Sequence, residues 1–514
     1  MVFPHNQSDV YLFDNCGEIV HIWEDDDDFR PGNSVYLQDN GDLIKCKRPS
    51  VVVNDPIWAG GGGATVDRWD WDGNLLWSMT INNDLERLHH DVAPMPNGNL
   101  LMIVWEKKTE AEAIQAGRNP DLITEGELWP DYIIEVEPVG SDDYNIVWEW
   151  HAWDHLVQDF DATKDNYGVV SDHPEKIDIN YDTSDGAADW MHSNAIAYHP
   201  DRDQIILSVP TFHEYWIIDH STSTAQAASS NGGLSSRGGD LMYRFGNPAA
   251  YQSGGVDDQQ LFYQHDTHWA FDYLDQNNPY YGKLLLFNNR VGEDFSQVNV
   301  MDPAWEMYGW EYPAENGVWT SDFTRTFTHP EPSMMYSTGL SSVQALPNGN
   351  LFILTGRFWY ALEITPDDEI VWEYKVPIFG GQPVSQGDTL LINNNITFRM
   401  TRIPTDASAL DGRDLTPQGF WELNPDTDFC SQILSTVDVS RTDRLQMIPN
   451  PTDGHLTIEW DGGRETVEVF DALGRLRVRQ EVAGGRAYLD LGNLKPGIYW
   501  VRLQEGAPQK LIIQ

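Results

Sequence analysis

Apolar and polar positions alternate with the period of a half-buried strand through most of this chain, and one arrangement of them recurs. At 89–105 it reads HHDVAPMPNGNLLMIVW, and at 341–354 it returns as SSVQALPNGNLFIL. Each copy runs from a polar cluster through a short apolar stretch to a Pro-Asn-Gly-Asn turn and a second apolar stretch, which predicts a β-hairpin. Two looser copies lie between them, MHSNAIAYHPDRDQIILSV at 191–209 and QHDTHWAFDYLDQNNPYYGKLLLFNN at 264–289. Three of the four carry a histidine at the start of the first strand. A radially repeated fold gathers strand starts around one axis, so the pattern predicts an architecture and a site together.

A second repeat marks strand pairs that end in tryptophan. It ends at Trp23, Trp77, Trp148 with Trp150, and Trp372, with weaker versions around Phe245 and within 305–327. About six such units fill residues 1–405, which predicts a six-bladed β-propeller. Residues 107–119 (KKTEAEAIQAGRN) form the clearest helical stretch, expected as a surface excursion. Residues 406–445, rich in Asp, Thr, Ser and Pro, read as a linker. From residue 446 to 514, alternating strands between Gly, Pro and Asp turns predict a small C-terminal β-sandwich. The whole chain is therefore expected to be all-β.

Composition narrows the classes. Aromatic residues make up 12% of the 514 positions, which argues against disorder although the mean hydropathy is -0.46. No segment reaches the roughly 18 apolar residues of a membrane helix, so no transmembrane segment is expected. Residues 1–15 show no basic start and no apolar stretch of a signal peptide. The net charge of -48 excludes nucleic acid as a partner, since phosphate binding needs clustered Lys and Arg. It serves solubility and is what a high-salt, halophilic habitat would select. Residues 446–514 hold 8 Lys/Arg against 9 Asp/Glu, so -47 of the charge lies before the tail, which marks a domain boundary. The three cysteines, Cys16, Cys46 and Cys430, form neither a disulfide framework nor a metal-ligand spacing, and a Cys16–Cys46 bridge is left open.

The tail resembles the C-terminal sorting domain of the type IX secretion system, through Pro449-Asn450-Pro451 with Gly454, FDALGR, LDLGNLKPGIYWV and the closing Lys510–Gln514. That resemblance implies the secretion machinery as a partner and a secreted or cell-surface destination reached through the periplasm. The first 405 residues resemble the bacterial arylsulfotransferases. The motifs are FRPGNSVYLQDNGDLI (29–44), WDWDGNLLWS (69–78), RLHHDVAPMPNGNLL (87–101), VWEWHAWDHLVQDFD (147–161), DWMHSNAIAYHP (189–200), QHDTHW (264–269), LLLFNN (284–289) and the Gln344–Gly349 turn phrase. The resemblance implies a six-bladed propeller with a histidine-lined axial site, a sulfuryl group passed from a phenolic sulfate ester to a phenol, and no cofactor or metal. His192 and His265 match sulfate-contacting histidines. Arg290 stands near a family arginine whose strict position holds Glu293. The later blade that would bring a nucleophilic histidine has Ser341, Ser342 and Gln344 instead.

Histidine suits this chemistry because it donates to an oxygen, exchanges protons near neutrality and can act as a nucleophile. An arginine holds sulfate oxygens with paired N–H groups. The expected catalytic set is therefore His90, His192, His265 and Arg290, with Tyr336, Trp190, Trp269 and His268 as substrate-binding residues. His89, alternating with His90, should face the other way and be structural. His155 is expected among packed tryptophans, and Gly60–Gly63 as a flexible turn rather than a phosphate loop. Two other readings stand beside this one. One is a metal-dependent hydrolase with His90, Asp91, His192 and His265 as ligands; the other is a non-catalytic surface propeller binding sulfated or carbohydrate ligands.

Overall fold

The computed structural model describes residues 1–51, 55–391, 396–427, 446–452, 454–460, 464–471, 475–503 and 509–513. They divide into two compact units, Met1–Pro425 and Asp426–Gln514. In the first unit, the described residues form six four-stranded antiparallel sheets, five of them from strands consecutive in their sheet order along the chain. The sixth joins the two ends of the unit: Thr397–Met400 pairs with Val2–Pro4, which continues to Val10–Phe13 and Ile19–Trp23. The first strands of the sheets are Thr397–Met400, Phe29–Leu37, Glu86–Pro94, Ala195–His199, His265–Trp269 and Ser342–Ala345. Each touches the next, and the last returns to the first, so the sheets close into a β-propeller.

The recurring tryptophans explain how one sheet grips its neighbour. The indole Nε1 of Trp23 donates to the Asp70 carbonyl at 3.2 Å, Trp77 to Asp143 at 2.8 Å, Trp148 to Thr222 Oγ1 at 3.1 Å and Trp372 to Asn15 at 3.1 Å. Each acceptor sits in the following sheet or its turns. A large apolar body fills the seam, and one donor fixes its register. The helix Glu110–Gln115 stands in the expected excursion, opened by a Thr109/Glu112 capping box.

Asp91, Arg399 and Asp266 meet at the axis. Arg399 grips Asp91 with both terminal nitrogens (2.6 and 3.0 Å), and its Nε lies 2.6 Å from Asp266 Oδ1. It also donates to the Tyr36 hydroxyl, which donates to Asp91 Oδ1 at 2.7 Å. Asp91 Oδ2 accepts the Ile196 amide at 3.1 Å, and Asp266 Oδ2 accepts the Val343 amide at 2.9 Å. All six inner strands thus converge on one guanidinium.

One expectation is corrected, and one pairing left open by the sequence is decided. The stretch 406–445 is not linker throughout: Ala409 and Leu410 pack with Met1, Trp23 and Trp71, and Trp421 stacks on Tyr11 at 4.4 Å. These apolar residues belong to core clusters of the first unit, and residues 428–445 lie outside the described residues. Cys16 and Cys46 do not pair. Cys46 is a buried free thiol that accepts from Ser34 Oγ at 3.2 Å, its pKa pushed up to about 12 by burial, while Cys16 is disulfide-bonded.

In the second unit, a three-stranded sheet (Gln446–Ile448, His455–Glu459, Arg486–Asp490) and a four-stranded one (Leu476–Ala483, Arg464–Asp471, Gly497–Leu503, Gln509–Ile513) share one apolar core. Leu456, Val469, Leu489 and Val501 are at its centre.

Replacing Arg399 by Met leaves Asp91 and Asp266 buried without their cation, a loss of about 3–5 kcal/mol. Denaturant unfolding of the full chain followed by tryptophan fluorescence is expected to show a correspondingly lower midpoint. An unchanged midpoint would mean that the ring closes without this cluster.

Candidate active site

The inner strands do not run straight to the axis. Pairing slips between Pro31 and Val35, between Leu88 and Val92, and between His265 and His268. Residues with left-handed backbone stand at these places: Asn33 (φ 101°), His90 (φ 52°) and Asp266 (φ 57°), with His192 (φ 53°) and Ser341 (φ 89°) just ahead of their strands. Bulges of this kind re-aim side chains, at a cost of order 1–3 kcal/mol for each strained residue. Here they turn imidazoles inward at the strand starts.

His90 and His192 meet edge to face with ring centroids 4.5 Å apart. Tyr263 lies between His192 and His265, its centroid 6.1 Å from one and 5.9 Å from the other. Each imidazole is anchored through Nδ1: His90 on His89 Nδ1 at 2.9 Å, His192 on Asp189 Oδ2 at 2.5 Å, and His265 on Asn289 Oδ1 at 2.8 Å. No described residue hydrogen-bonds the Nε2 atom of any of the three. Asn289 is itself oriented by donating to the Leu340 carbonyl at 3.0 Å. Its oxygen therefore faces His265, which must donate Nδ1–H and present an Nε2 lone pair.

The anchors set different protonation states. Burial alone would lower His192, but the Asp189 carboxylate outweighs it and holds the pKa above the ordinary histidine range. His265 is pushed down to about 3 by burial, which the Asn289 hydrogen bond only partly offsets, with the His192 and Arg290 charges adding to the fall. His90 is driven well below the ordinary value by burial and by the neighbouring His192, His89 and His265. One cationic imidazole thus stands beside two neutral ones. Gly61 permits this packing: with φ +83°, an added Cβ would lie 1.9 Å from His90 Nε2 and 2.0 Å from Cε1, over the ring.

Arg290 follows Asn289 in the loop after Leu284–Asn288, and its guanidinium covers the Tyr263 ring at 3.7 Å while Nε donates to the Thr338 carbonyl. Glu293, at the strict motif position, is exposed. Arg357 stands beside Arg290 and Tyr263, held below the usual arginine range by burial and the Arg290 charge. A cavity of about 530 Å³ opens here, lined by Trp58, Trp129, Asp189, His192 and Tyr263 among others.

The remaining candidates lie elsewhere. His268 and Trp269 line a second cavity of about 710 Å³ together with Arg399, farther along the strand His265–Trp269 than the histidine cluster. Trp190 is core: it packs on Phe212 and donates to the Tyr181 carbonyl. Tyr336 is half-buried and lines neither cavity. His155 stacks on Trp150, as expected of a packed histidine. His89 does not face away from His90, because the left-handed turn at His90 breaks the alternation and brings their Nδ1 atoms together. Asp91 points to Arg399 rather than to the histidines, and no group of three or more His, Cys, Asp or Glu among the described residues is placed to hold a metal. Asp189, Asp131, Asn289, Tyr263 and Arg357 were not singled out from sequence. The three-residue spacing from Asp189 to His192 was the one available signal; Arg357 offers none.

The fold is a β-propeller, and the imidazoles of His90, His192 and His265 gather where its inner strands begin. The chain belongs to the arylsulfotransferase (ASST) family, whose model matches residues 2–376, and residues 446–514 match a secretion system C-terminal sorting domain. That tail marks a secreted or cell-surface protein of the type IX route. No helix of the described residues is long and apolar enough to cross a membrane. No curated protein matches the chain. Among solved structures, it is similar to a protein of unknown function from Bacteroides caccae, with 10% identity, a TM-score of 0.40 and coverage of 78% of this chain and 98% of that one. A catalytically inactive virginiamycin B lyase from Staphylococcus aureus with quinupristin has 9% identity, a TM-score of 0.32 and coverage of 99% of each chain. PorZ of the Porphyromonas gingivalis type-IX secretion system has 13% identity, a TM-score of 0.26 and coverage of 94% and 60%. At such scores these likenesses say nothing about what the chain does.

A histidine raised above its unfolded value of about 6.5 adds stability that is complete below that pH and fades as pH rises through the folded value. The stability difference between the unaltered chain and Asp189→Asn is therefore expected to be largest below about pH 6 and to shrink in alkali. Denaturant midpoints measured across pH would reveal this, and a difference independent of pH would show that Asp189 does not hold the proton on His192.

Proposed function

We propose that this chain is an exported aryl-sulfate sulfotransferase that moves a sulfuryl group from a phenolic sulfate ester to a phenol at the axial histidines. The observation that carries the reading is the set of three imidazoles anchored through Nδ1, beside Arg290 and Arg357, within a chain of net charge -48. The cations stand beside the carboxylates Glu125, Glu127 and Asp189 that also line the cavity, and cations so placed suit a small anion. In sulfuryl transfer, negative charge sits on the equatorial oxygens and grows on the leaving oxygen, so catalysis rests on positioning and charge stabilisation. Cationic His192 donates to the leaving oxygen, while Arg290 and Arg357 draw in the sulfate. Tyr263, Trp58 and Trp129 offer aromatic faces to the aryl group. Residues 446–514 carry the protein through the type IX machinery after the periplasm, and the acidic surface suits a saline exterior.

A non-catalytic ligand-binding propeller is the second reading, favoured by the absence of a histidine at Ser341–Ser342. Purified full chain given 4-nitrophenyl sulfate should release 4-nitrophenol in a phenol-dependent manner, and His192→Ala should lower that rate by roughly 100-fold or more. Tight binding of the sulfate ester with no release above the His192→Ala background would instead support the binding propeller.

A further inference from the structure

At the sixth inner strand, where a histidine would complete the repeat, every side chain is already occupied. Ser341 Oγ accepts the Gly356 amide at 3.0 Å, Ser342 Oγ the Met400 amide at 3.4 Å, and Gln344 is clamped on the Arg402 backbone at 2.8 and 3.0 Å. A nucleophile for sulfuryl transfer has to come from another strand. Among the three axial imidazoles, His192 is spoken for by the proton that Asp189 holds on it. His265 ends on the neutral amide of Asn289. Only His90 leads, through a second ring, to a carboxylate.

That route runs His90 Nδ1, His89 Nδ1, His89 Nε2, Asp131. The two Nδ1 atoms are 2.9 Å apart, and His89 Nε2 faces Asp131 Oδ1 at 3.3 Å. The second contact falls outside hydrogen-bond geometry, yet neither of its atoms has a hydrogen-bond partner among the described residues. Asp131 Oδ2 is fixed by the Ser193 amide at 2.9 Å, and the His89 ring lies flat on Trp105 with centroids 4.0 Å apart. A carboxylate oxygen facing His89 Nε2 selects the tautomer with the proton there. His89 Nδ1 is then a lone pair, so His90 must donate Nδ1–H, and its Nε2 lone pair is left to the site. His90 is buried, Gly61 packs on its ring where any Cβ would collide with Nε2, and no described residue hydrogen-bonds that atom.

We propose that His90 is the catalytic residue that receives the sulfuryl group, with His89 and Asp131 as its positioning residues; this rests on the sulfotransferase reading above. His90 Nε2 attacks sulfur, the N–S bond forms and the S–O bond to the aryl group breaks. The leaving phenolate takes its proton from His192 Nε2. The positive charge placed on the His90 ring is shared through His89 toward the Asp131 carboxylate. In the second half, an acceptor phenol gives its proton to His192 and its oxygen attacks sulfur, while the N–S electron pair returns to His90 Nε2.

Rapid mixing of the full chain with 4-nitrophenyl sulfate, without acceptor, should give a burst of one 4-nitrophenol per chain. Mass spectrometry of an alkaline digest should place one added sulfo group on the peptide containing His90. His90→Gln should lose both the burst and the label. His89→Gln and Asp131→Asn should keep KM while lowering kcat by roughly tenfold or more, with a shifted pH profile of the burst. A label on His265 or elsewhere, turnover with no label, or full turnover by His90→Gln overturns this assignment and leaves the sulfotransferase reading standing. No turnover by the unaltered chain removes both. Should His90→Gln fail to fold, label mapping on the unaltered chain decides by itself.

Discussion

The ion cluster around Arg399 is the constraint on which the rest of the first unit depends. A propeller has no covalent closure at its axis, so its inner strands need a common partner. Arg399 supplies it by spanning Asp91 and Asp266, whose second oxygens hold backbone amides of two further strands. Against the desolvation of burial, Asp91, Tyr36 and Asp266 keep the guanidinium charged, its pKa well above the ordinary value. Arg399 lies on the strand that also pairs with Val2–Pro4, so the same element closes the sheet and fills the axis.

The active-site candidates are by-products of that closure. His90 precedes Asp91 and His265 precedes Asp266, so each His-Asp pair sends its carboxylate to the hub and its imidazole to the mouth where the strands begin. The left-handed residue differs, His90 in one pair and Asp266 in the other, but both strands break their ladder there. A strand with regular alternation would put neighbours on opposite faces of a sheet. The bulges place them instead one above the other along the axis. The strain is borne because the hub and the Nδ1 anchors over-determine these positions.

Charge is partitioned as sharply as shape. Carboxylates dominate the surface, yet the site mouth collects Arg290, Arg357 and His192, each held by its surroundings: Tyr263 under Arg290, burial around Arg357, Asp189 behind His192. Screening by solvent weakens the surface charges and exposed Arg290 with them, whereas the more deeply set His192 and Arg357 act at short range in a drier medium. Under the proposed function, an anion would meet repulsion at long range and these cations at the mouth.

The alternating pattern, the recurrent turn phrase and the tryptophan-ended strand pairs were enough to read an all-β propeller and a separate β-rich tail, because hairpins and seams are local features with a two-residue period. The strand-start histidines were legible for the same reason. What tertiary structure alone decided was direction and partnership. Trp190 went to the core and His268 to the second cavity, Arg357 arrived from a loop with no motif, and residues 406–425 were drawn onto the propeller by Leu410 and Trp421. His89 and His90, neighbours expected to part, were turned toward each other by one positive φ. Sequence periodicity assumes a regular strand, and the axis of this protein is built where the strands stop being regular.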